Sequence, residues 1–456
     1  MPWARAVVDL ERPSFEVNPA TLASSIDSAV RQATGNRPGP VHINFPFKVS
    51  IPGIVTETTV DAAALEKYLE PLSLKEDDAP FHSFRPGKLV PATSSVEDFS
   101  ELCRHARGVI FASELGAGEA VDQIVALGEH LGWPVFPQTG SGLRSDSVGG
   151  TVVIRWYAAL PTKLPWWRDV EVALVLGRRP LGVVPGSVAT VVVTSSGDRV
   201  LPLFPQTVVA ASPSEFCRAV VPSTPRRADR EWLHRWQGLD QGLNAIVDSE
   251  LTDLRGDLSA TCSAVRGLPE NTAIFVASST PFYHYQALAE PSMTHHTASA
   301  NRGLNGIDGT IASAIGYSEG LRMPTVCVLG DLAFLYDVSS LPMARECSTP
   351  IVFIVLNNNG FGAVQMGVED DDSAIPSEFL LQHGMSFRGV VENFGLQYHT
   401  TSQAGDLCSV RDDWLSTGAS GVIEVKTDVR VGAEERHKLL SIAKGKRVGR
   451  SSESRG

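Results

Sequence analysis

Long hydrophobic runs, paired cysteines and a basic excess are all missing from this chain. No apolar stretch approaches the ~18 residues of a membrane-spanning helix, so a helical membrane protein is not expected. The six cysteines, at 103, 217, 262, 327, 347 and 408, are scattered and form no CxxC pair. That pattern argues against zinc ribbons and disulfide frameworks and for buried, reduced thiols. Lys and Arg number 39 against 51 Asp and Glu, a formal net charge of −12. Neither nucleic acid nor an anionic membrane surface is therefore the expected partner. The zincin HExxH, the Walker-type phosphate loop and the GxSxG nucleophile elbow are also absent, which sets aside three large enzyme classes. The opening Met1-Pro2-Trp3-Ala4-Arg5 has no apolar leader core. The expectation is a soluble protein of the cytoplasm, or of a plastid or other organelle matrix in a eukaryote.

What is present is an ordinary globular composition, 43% hydrophobic and 20% charged over 456 residues. The length suffices for two or three domains. Short β-branched runs alternate with helix-length segments, the signature of α/β domains built as doubly wound parallel sheets. Residues 1–50 contain one helix-like stretch (19–33) and one strand (41–45), too little for a domain and more like the end of one. Residues 51–88 read as a polar linker. A central α/β domain is expected over 89–215, with strands at 108–112, 133–136, 172–176, 190–194 and 207–211. Residues 216–256, charged and Trp-containing, read as a helical connection. A second α/β domain is expected over 257–430, with strands at 273–277, 325–330, 351–357 and 421–426. Residues 431–456 read as a polar tail.

Two polar clusters at strand ends carry the strongest chemical signal. Gly330-Asp331 closes the run 325–329, and Asn357-Asn358-Asn359-Gly360 closes the run 351–356. Both runs are continuously apolar, as in parallel strands buried on both faces. The interval 332–346 has room for one crossover helix, and a right-handed βαβ unit brings both polar ends to the same sheet edge. An Asp carboxylate, an Asn amide oxygen and a turn carbonyl there would make a hard oxygen site suited to Mg²⁺ bridging a diphosphate. An Asp helix cap beside an Asn-rich turn would give the same letters without a ligand.

Three further segments stand out. The loop Asn301-Arg302-Gly303-Leu304-Asn305-Gly306-Ile307-Asp308-Gly309 concentrates residues tolerant of unusual φ before a small-residue helix at 310–320. It would let backbone approach a ligand, with Arg302 meeting a carboxylate or phosphate, or it is simply a tight strand-to-helix loop. Ala277-Ser278-Ser279-Thr280 again follows a strand and reads by default as a helix N-cap. Ser141-Gly142-Leu143-Arg144 reads as a turn with an exposed Arg. The adjacent His295 and His296 diverge if extended and make an improbable metal pair.

Gly-Asp followed 27 positions later by Asn358 resembles the diphosphate–metal motif of thiamine-diphosphate enzymes. Asn301-Arg302-Gly303, Gly306-Ile307-Asp308-Gly309, Gly330-Asp331-Leu332 and Leu335-Tyr336-Asp337-Val338 narrow this to a resemblance to the MenD family. Members of that family are 2-succinyl-5-enolpyruvyl-6-hydroxy-3-cyclohexene-1-carboxylate synthases of menaquinone and phylloquinone biosynthesis. Residues 39–47, 131–135 and 141–144 resemble the family's first and central domains, and the match runs to about residue 430. The resemblance implies thiamine diphosphate with Mg²⁺ (or Mn²⁺), and 2-oxoglutarate and isochorismate as substrates. It also implies a homo-oligomer, since the family's cofactor lies between subunits. Asp331, Asn358 and Gly360 would hold the metal. Gly306, Ile307, Gly330, Leu332 and Ala333 would line the cofactor, with Ile307 propping its bent shape. Ser279 and Arg302 would face the substrate.

The same resemblance exposes departures. It implies that the chain begins inside a pyrimidine-binding domain, with residues 1–50 its C-terminal remnant and roughly a hundred family residues not represented. The glutamate that polarises the aminopyrimidine would be among them, to be supplied in that reading by another polypeptide. The family's central basic pair falls at Val183-Val184, with Arg178 and Arg179 upstream. An Arg expected after the active-site Ser is Tyr283. The Gly-Gly-x-Ile-Phe after the Asn run reads Phe361-Gly362-Ala363-Val364. Three functions therefore compete: an active carboligase, a non-catalytic cofactor-binding remnant, and a thiamine-diphosphate lyase of a smaller 2-oxo acid.

Overall fold

The computed structural model describes residues 4–12, 14–35, 39–46, 61–72, 79–85, 87–116, 118–144, 152–156, 165–177, 188–195, 206–250, 255–288, 297–301, 306–363, 377–432 and 434–435. Near the start, β1 (Ala6–Asp9) and β2 (Val41–Asn44) pair in parallel, joined by α1 (Pro19–Thr34). β1 was not anticipated: its alternation of half-buried and exposed residues is too short and mixed to stand out. The interval expected to be linker carries α2 (Ala62–Leu69).

The central sheet follows α3 (Thr93–Cys103). Its strands are β3 (Gly108–Ala112), β4 (Val135–Pro137), β5 (Val172–Leu176), β6 (Ala189–Thr194) and β7 (Thr207–Ala210), with α4 (Val121–Leu131) between the first two. The order is β4-β3-β5-β6-β7, all parallel. Every residue of β3 and β5 is buried, as expected of strands covered on both faces. α5 (Pro213–Ser223) and α6 (Glu231–Glu250) follow, and α6 lays Trp232 and Trp236 into the same core.

The third sheet begins after α7 (Asp257–Val265). It contains β8 (Ala273–Val276), β9 (Ala298–Ala300), β10 (Thr325–Gly330), β11 (Ile351–Asn357), β12 (Gln397–Thr401) and β13 (Gly421–Lys426). The order is β12-β13-β11-β10-β8-β9, all parallel. Alternation divides the strand residues between two cores. Val326, Val328, Val352 and Ile354 face one side, and Cys327, Leu329, Phe353 and Val355 the other. The helices here are α8 (Thr280–Leu288), α9 (Thr310–Leu321), α10 (Asp331–Asp337), α11 (Arg388–Asn393) and α12 (Ala404–Thr417). Instead of one crossover helix over 332–346, the chain makes α10 and then a 3-10 segment, Val338–Arg345, which contains Pro342. Proline cannot donate the α-helical hydrogen bond, and Asp337 turns its carboxylate away to accept Ala312 N–H at 2.9 Å and Ser340 Oγ at 2.7 Å.

All six cysteines are free, four of them buried. Burial pushes the Cys103 thiol up to about 11. Among the described residues no helix is long and apolar enough to cross a membrane.

Arg144 is not the exposed turn residue expected of it. Its guanidinium donates to the carbonyls of Pro137, Gln286 and Tyr285 and lies 5.2 Å from the Tyr285 ring centroid. Gln286 Oε1 accepts both Thr139 N–H and Thr139 Oγ1–H, at 2.7 and 2.8 Å. These bonds fasten the turn after β4 to the end of α8.

Candidate functional site

β10 and β11 are adjacent, and their register sets Gly330 opposite Leu356. Asp331 and the 357–360 turn therefore emerge side by side at the C-terminal edge. β8 lies on the other side of β10, and its next neighbour is β9. The chain thus leaves β8 in one direction and returns to β10 in the other, and such a reversal opens a ligand crevice.

Asp331, the first residue of α10, is 2% exposed. One carboxylate oxygen accepts Leu332 N–H at 2.7 Å. The other accepts Gly360 N–H at 2.8 Å and faces His383 Nε2 at 3.2 Å. Met385 N–H donates to His383 Nδ1 at 3.0 Å, so the ring carries its proton on Nε2 and donates to Asp331. Burial pushes the Asp331 carboxyl up, opposed by the N–H groups of Gly360 and Leu332 and by His383. A buried carboxylate whose charge is unfavourable in water-poor surroundings gains from a cation.

Each Asn of the turn is oriented by a partner. Asn357 Nδ2 donates to Glu424 Oε1 at 2.7 Å, and Tyr398 Oη–H donates to the other oxygen of that carboxylate. Asn358 Nδ2 donates to Asp257 Oδ2 at 2.7 Å. Asn359 Oδ1 accepts Gly384 N–H at 2.7 Å. The amide oxygen of Asn358 is different: it is buried and has no hydrogen-bond partner among the described residues. Leaving a buried acceptor unmet costs ~1–3 kcal/mol, and such an atom in a native site calls for a missing donor or cation. Gly360 has φ +147°, and a Cβ there would run into the Leu380 carbonyl oxygen. Its own carbonyl accepts Gly362 N–H at 3.2 Å, leaving a second lone pair.

Among the described residues no cluster of three His, Cys, Asp or Glu side chains could hold a metal. The Asp331 edge offers one carboxylate, one amide oxygen and peptide oxygen, an all-oxygen set of the kind that suits Mg²⁺ completed by phosphate and water. The chemistry of this donor set suits a metal–diphosphate.

The other sequence candidates are placed as follows. Gly330 precedes α10, Leu332 is half-buried in its first turn, and Ala333 is buried in the core. Gly306 is exposed, while Ile307 packs against the core and accepts Thr310 Oγ1–H at 2.8 Å. Ser279 sits at the end of β8 with φ +81°, a strained conformation for a non-glycine residue and one concentrated at functional sites. Tyr283, 42% exposed, follows one turn later, its N–H 3.4 Å from the Ser279 carbonyl. Arg302, Arg178, Arg179, Val183, Val184, Val364, His295 and His296 lie outside the described residues. Sequence reasoning missed His383, Asp257 and Glu424. All three act across long sequence separations, and no local motif surrounds any of them.

Residues 280–425 match the family described as thiamine pyrophosphate enzyme, C-terminal TPP binding domain. A 2-succinyl-5-enolpyruvyl-6-hydroxy-3-cyclohexene-1-carboxylate synthase of Salinibacter ruber is 30% identical over 457 residues, covering 93% of this chain and 73% of the relative. The synthase of the same name from Halobacterium salinarum is 29% identical over 448 residues, covering 93% and 74%. In fold, the chain resembles benzoylformate decarboxylase from Polynucleobacter necessarius, with a TM-score of 0.62 at 13% identity, over 94% of this chain and 76% of that one. It resembles a putative thiamin diphosphate-dependent enzyme from Mycobacterium smegmatis equally, with a TM-score of 0.62 at 16% identity and the same coverage.

Proposed function

The chain belongs to the MenD family of thiamine-diphosphate-dependent transferases of menaquinone biosynthesis, and from that premise we propose that it is a Mg²⁺-dependent (or Mn²⁺-dependent) decarboxylating carboligase joining 2-oxoglutarate to isochorismate. The observation that carries the metal assignment is the orphaned Asn358 Oδ1 beside the Asp331–Gly360 pair.

In this reading Asp331, Asn358 Oδ1 and the Gly360 carbonyl hold the metal. Asp331 supplies the negative charge, and its bond from Gly360 N–H keeps strand end and turn in register. Thiamine diphosphate, when bound, supplies the nucleophilic carbon and the electron sink for losing CO₂ from a 2-oxo acid. Gly306, Gly330, Leu332 and Ala333 shape the wall against the cofactor. Ile307, anchored in the core, gives it a rigid apolar support. Ser279, held at positive φ beyond β8, would face the substrate, and Arg302 would partner a substrate carboxylate. A homo-oligomer would place a second copy's surface over the crevice.

Tyr283 favours a second reading. An uncharged ring stands one turn after Ser279, where the family resemblance expects Arg, so a smaller, less charged 2-oxo acid is the alternative donor. Turnover of pyruvate but not 2-oxoglutarate would select it. The metal assignment is tested by calorimetric titration of Mg²⁺–thiamine diphosphate into wild type and Asp331→Ala. The expected result is saturable binding to wild type and none to the variant. Equal binding, or none to either, would overturn the assignment.

A further inference from the structure

Resting on the metal-site reading above, we infer that Asp257 is a positioning residue that fixes the amide of Asn358 so that its oxygen, and not its nitrogen, faces the metal position. An asparagine amide presents two ends of nearly equal shape and opposite hydrogen-bonding character. Rotation by half a turn would put an NH₂ group against the cation and abolish ligation. Something must therefore choose the end, and at this site the structure shows what does.

Asp257 is 6% exposed and is the first residue of α7, 101 positions from Asn358. Its Oδ2 accepts Asn358 Nδ2 at 2.7 Å. Its Oδ1 accepts Thr427 Oγ1–H, and Thr427 N–H donates to the Asn357 carbonyl at 3.0 Å. The carboxylate is thus tied to the exits of both β11 and β13, the strands that flank the turn. An ionised carboxylate has only acceptor sites, so a flipped Asn358 would set oxygen against oxygen in a buried space. The amide nitrogen also lies close to Gly362, where an added Cβ would come within 2.5 Å of Nδ2. The consequence is visible at the other end of the group: Oδ1 is left buried, with no hydrogen-bond partner among the described residues. Helix capping does not account for this arrangement. A first-turn Asp stabilises α7 whether or not it holds an amide, whereas the 2.7 Å bond to Nδ2 selects one of two rotamers of a residue at the candidate metal site. Outer partners that orient ligands in this way typically change metal affinity by 10–100-fold when removed.

The test uses the full chain and three variants: Asp257→Ala, Asp257→Asn and Asp331→Ala. Mg²⁺–thiamine diphosphate affinity is measured by calorimetry over a Mg²⁺ series, and metal-free thermal unfolding is recorded for each protein. Asp257→Ala is expected to raise the half-saturating Mg²⁺ concentration about 10–100-fold. Asp257→Asn can still accept from Nδ2 through its amide oxygen, and is expected to recover most of that loss. A purely structural Asp257 would instead lower the metal-free unfolding temperature and leave the Mg²⁺ requirement unchanged; that result overturns the inference. If Asp257→Ala does not fold, Asp257→Ser, whose side chain is too short to reach Nδ2, takes its place and is judged by the same two outcomes. Loss of binding in Asp331→Ala with wild-type affinity in both Asp257 variants would refute the role of Asp257 while leaving the metal site standing. Unchanged binding in Asp331→Ala would remove the metal site itself.

Discussion

Replacing Gly360 by alanine perturbs one backbone position whose demands are unusually explicit. At φ +147° the position favours glycine, and holding alanine there costs ~1–3 kcal/mol. The added Cβ also occupies the place of the Leu380 carbonyl oxygen, which accepts Phe361 N–H at 2.6 Å. Moving the 377–381 segment away loses that bond, and it strains the nearby Gly384 N–H bond to Asn359 Oδ1. Each such bond contributes ~0.5–1.5 kcal/mol. If instead the turn moves, Gly360 N–H leaves Asp331 Oδ2 and the carbonyl leaves the proposed metal. Either way at least ~2 kcal/mol separates the binding-competent turn from its relaxed form, which is about 30-fold in affinity. The strands themselves are untouched, so the unfolding free energy in urea should fall only by the ~0.5–1.5 kcal/mol of a lost bond, while calorimetric Mg²⁺–thiamine diphosphate affinity falls by about that factor. An alanine variant that binds within about threefold of wild type would refute the argument that this turn geometry positions the ligands.

Two other outcomes follow from buried charge. Burial pushes the Asp240 carboxyl up to about 6, against the pull of Trp156 N–H and Arg155. The folded state then binds more protons than the unfolded state between about pH 4 and pH 6, and stability falls as pH rises through that window. Asp240→Asn keeps the oxygen that accepts Trp156 N–H at 2.8 Å. It should be more stable than wild type at pH 7.5 by ~1–2 kcal/mol, with the difference vanishing below about pH 4; urea titrations at both pH values check this. Arg411, 1% exposed, donates from Nη1 to the carbonyls of Ser263 and Ala264 in the last turn of α7, at 3.0 and 2.9 Å. Arg411→Met fills the space but leaves those carbonyls unmet. It should cost on the order of 3 kcal/mol, measured as a lower urea midpoint.

Much of this could be read from the chain alone because the physics is local. The strands β3, β5, β10, β11 and β13 are buried on both faces, and their short, mostly apolar runs rich in Val and Ile mark such strands in the sequence. The punctuation after β10 and β11 marks strand ends, and parallel connectivity alone sends both ends to one edge. Asp331, Asn358 and Gly360 were accessible by that route. The edge strands β9 and β12 were not, since three or five half-exposed residues carry no distinctive pattern. The crossover was misread as one helix because the effect of Pro342 and of the Asp337 bond to Ala312 depends on what packs beside them.

Tertiary structure decided everything that depends on which end of a side chain faces which neighbour. The sequence determines that an Asn follows β11; only packing brings Asp257 from 101 positions away to hold its nitrogen and leave its oxygen bare. It likewise sets His383, 52 positions from Asp331, against that carboxylate. Strand propensity and chain connectivity act between near neighbours and are written in order along the sequence. Hydrogen-bond direction in a buried site is settled by groups that meet only after the sheet has formed.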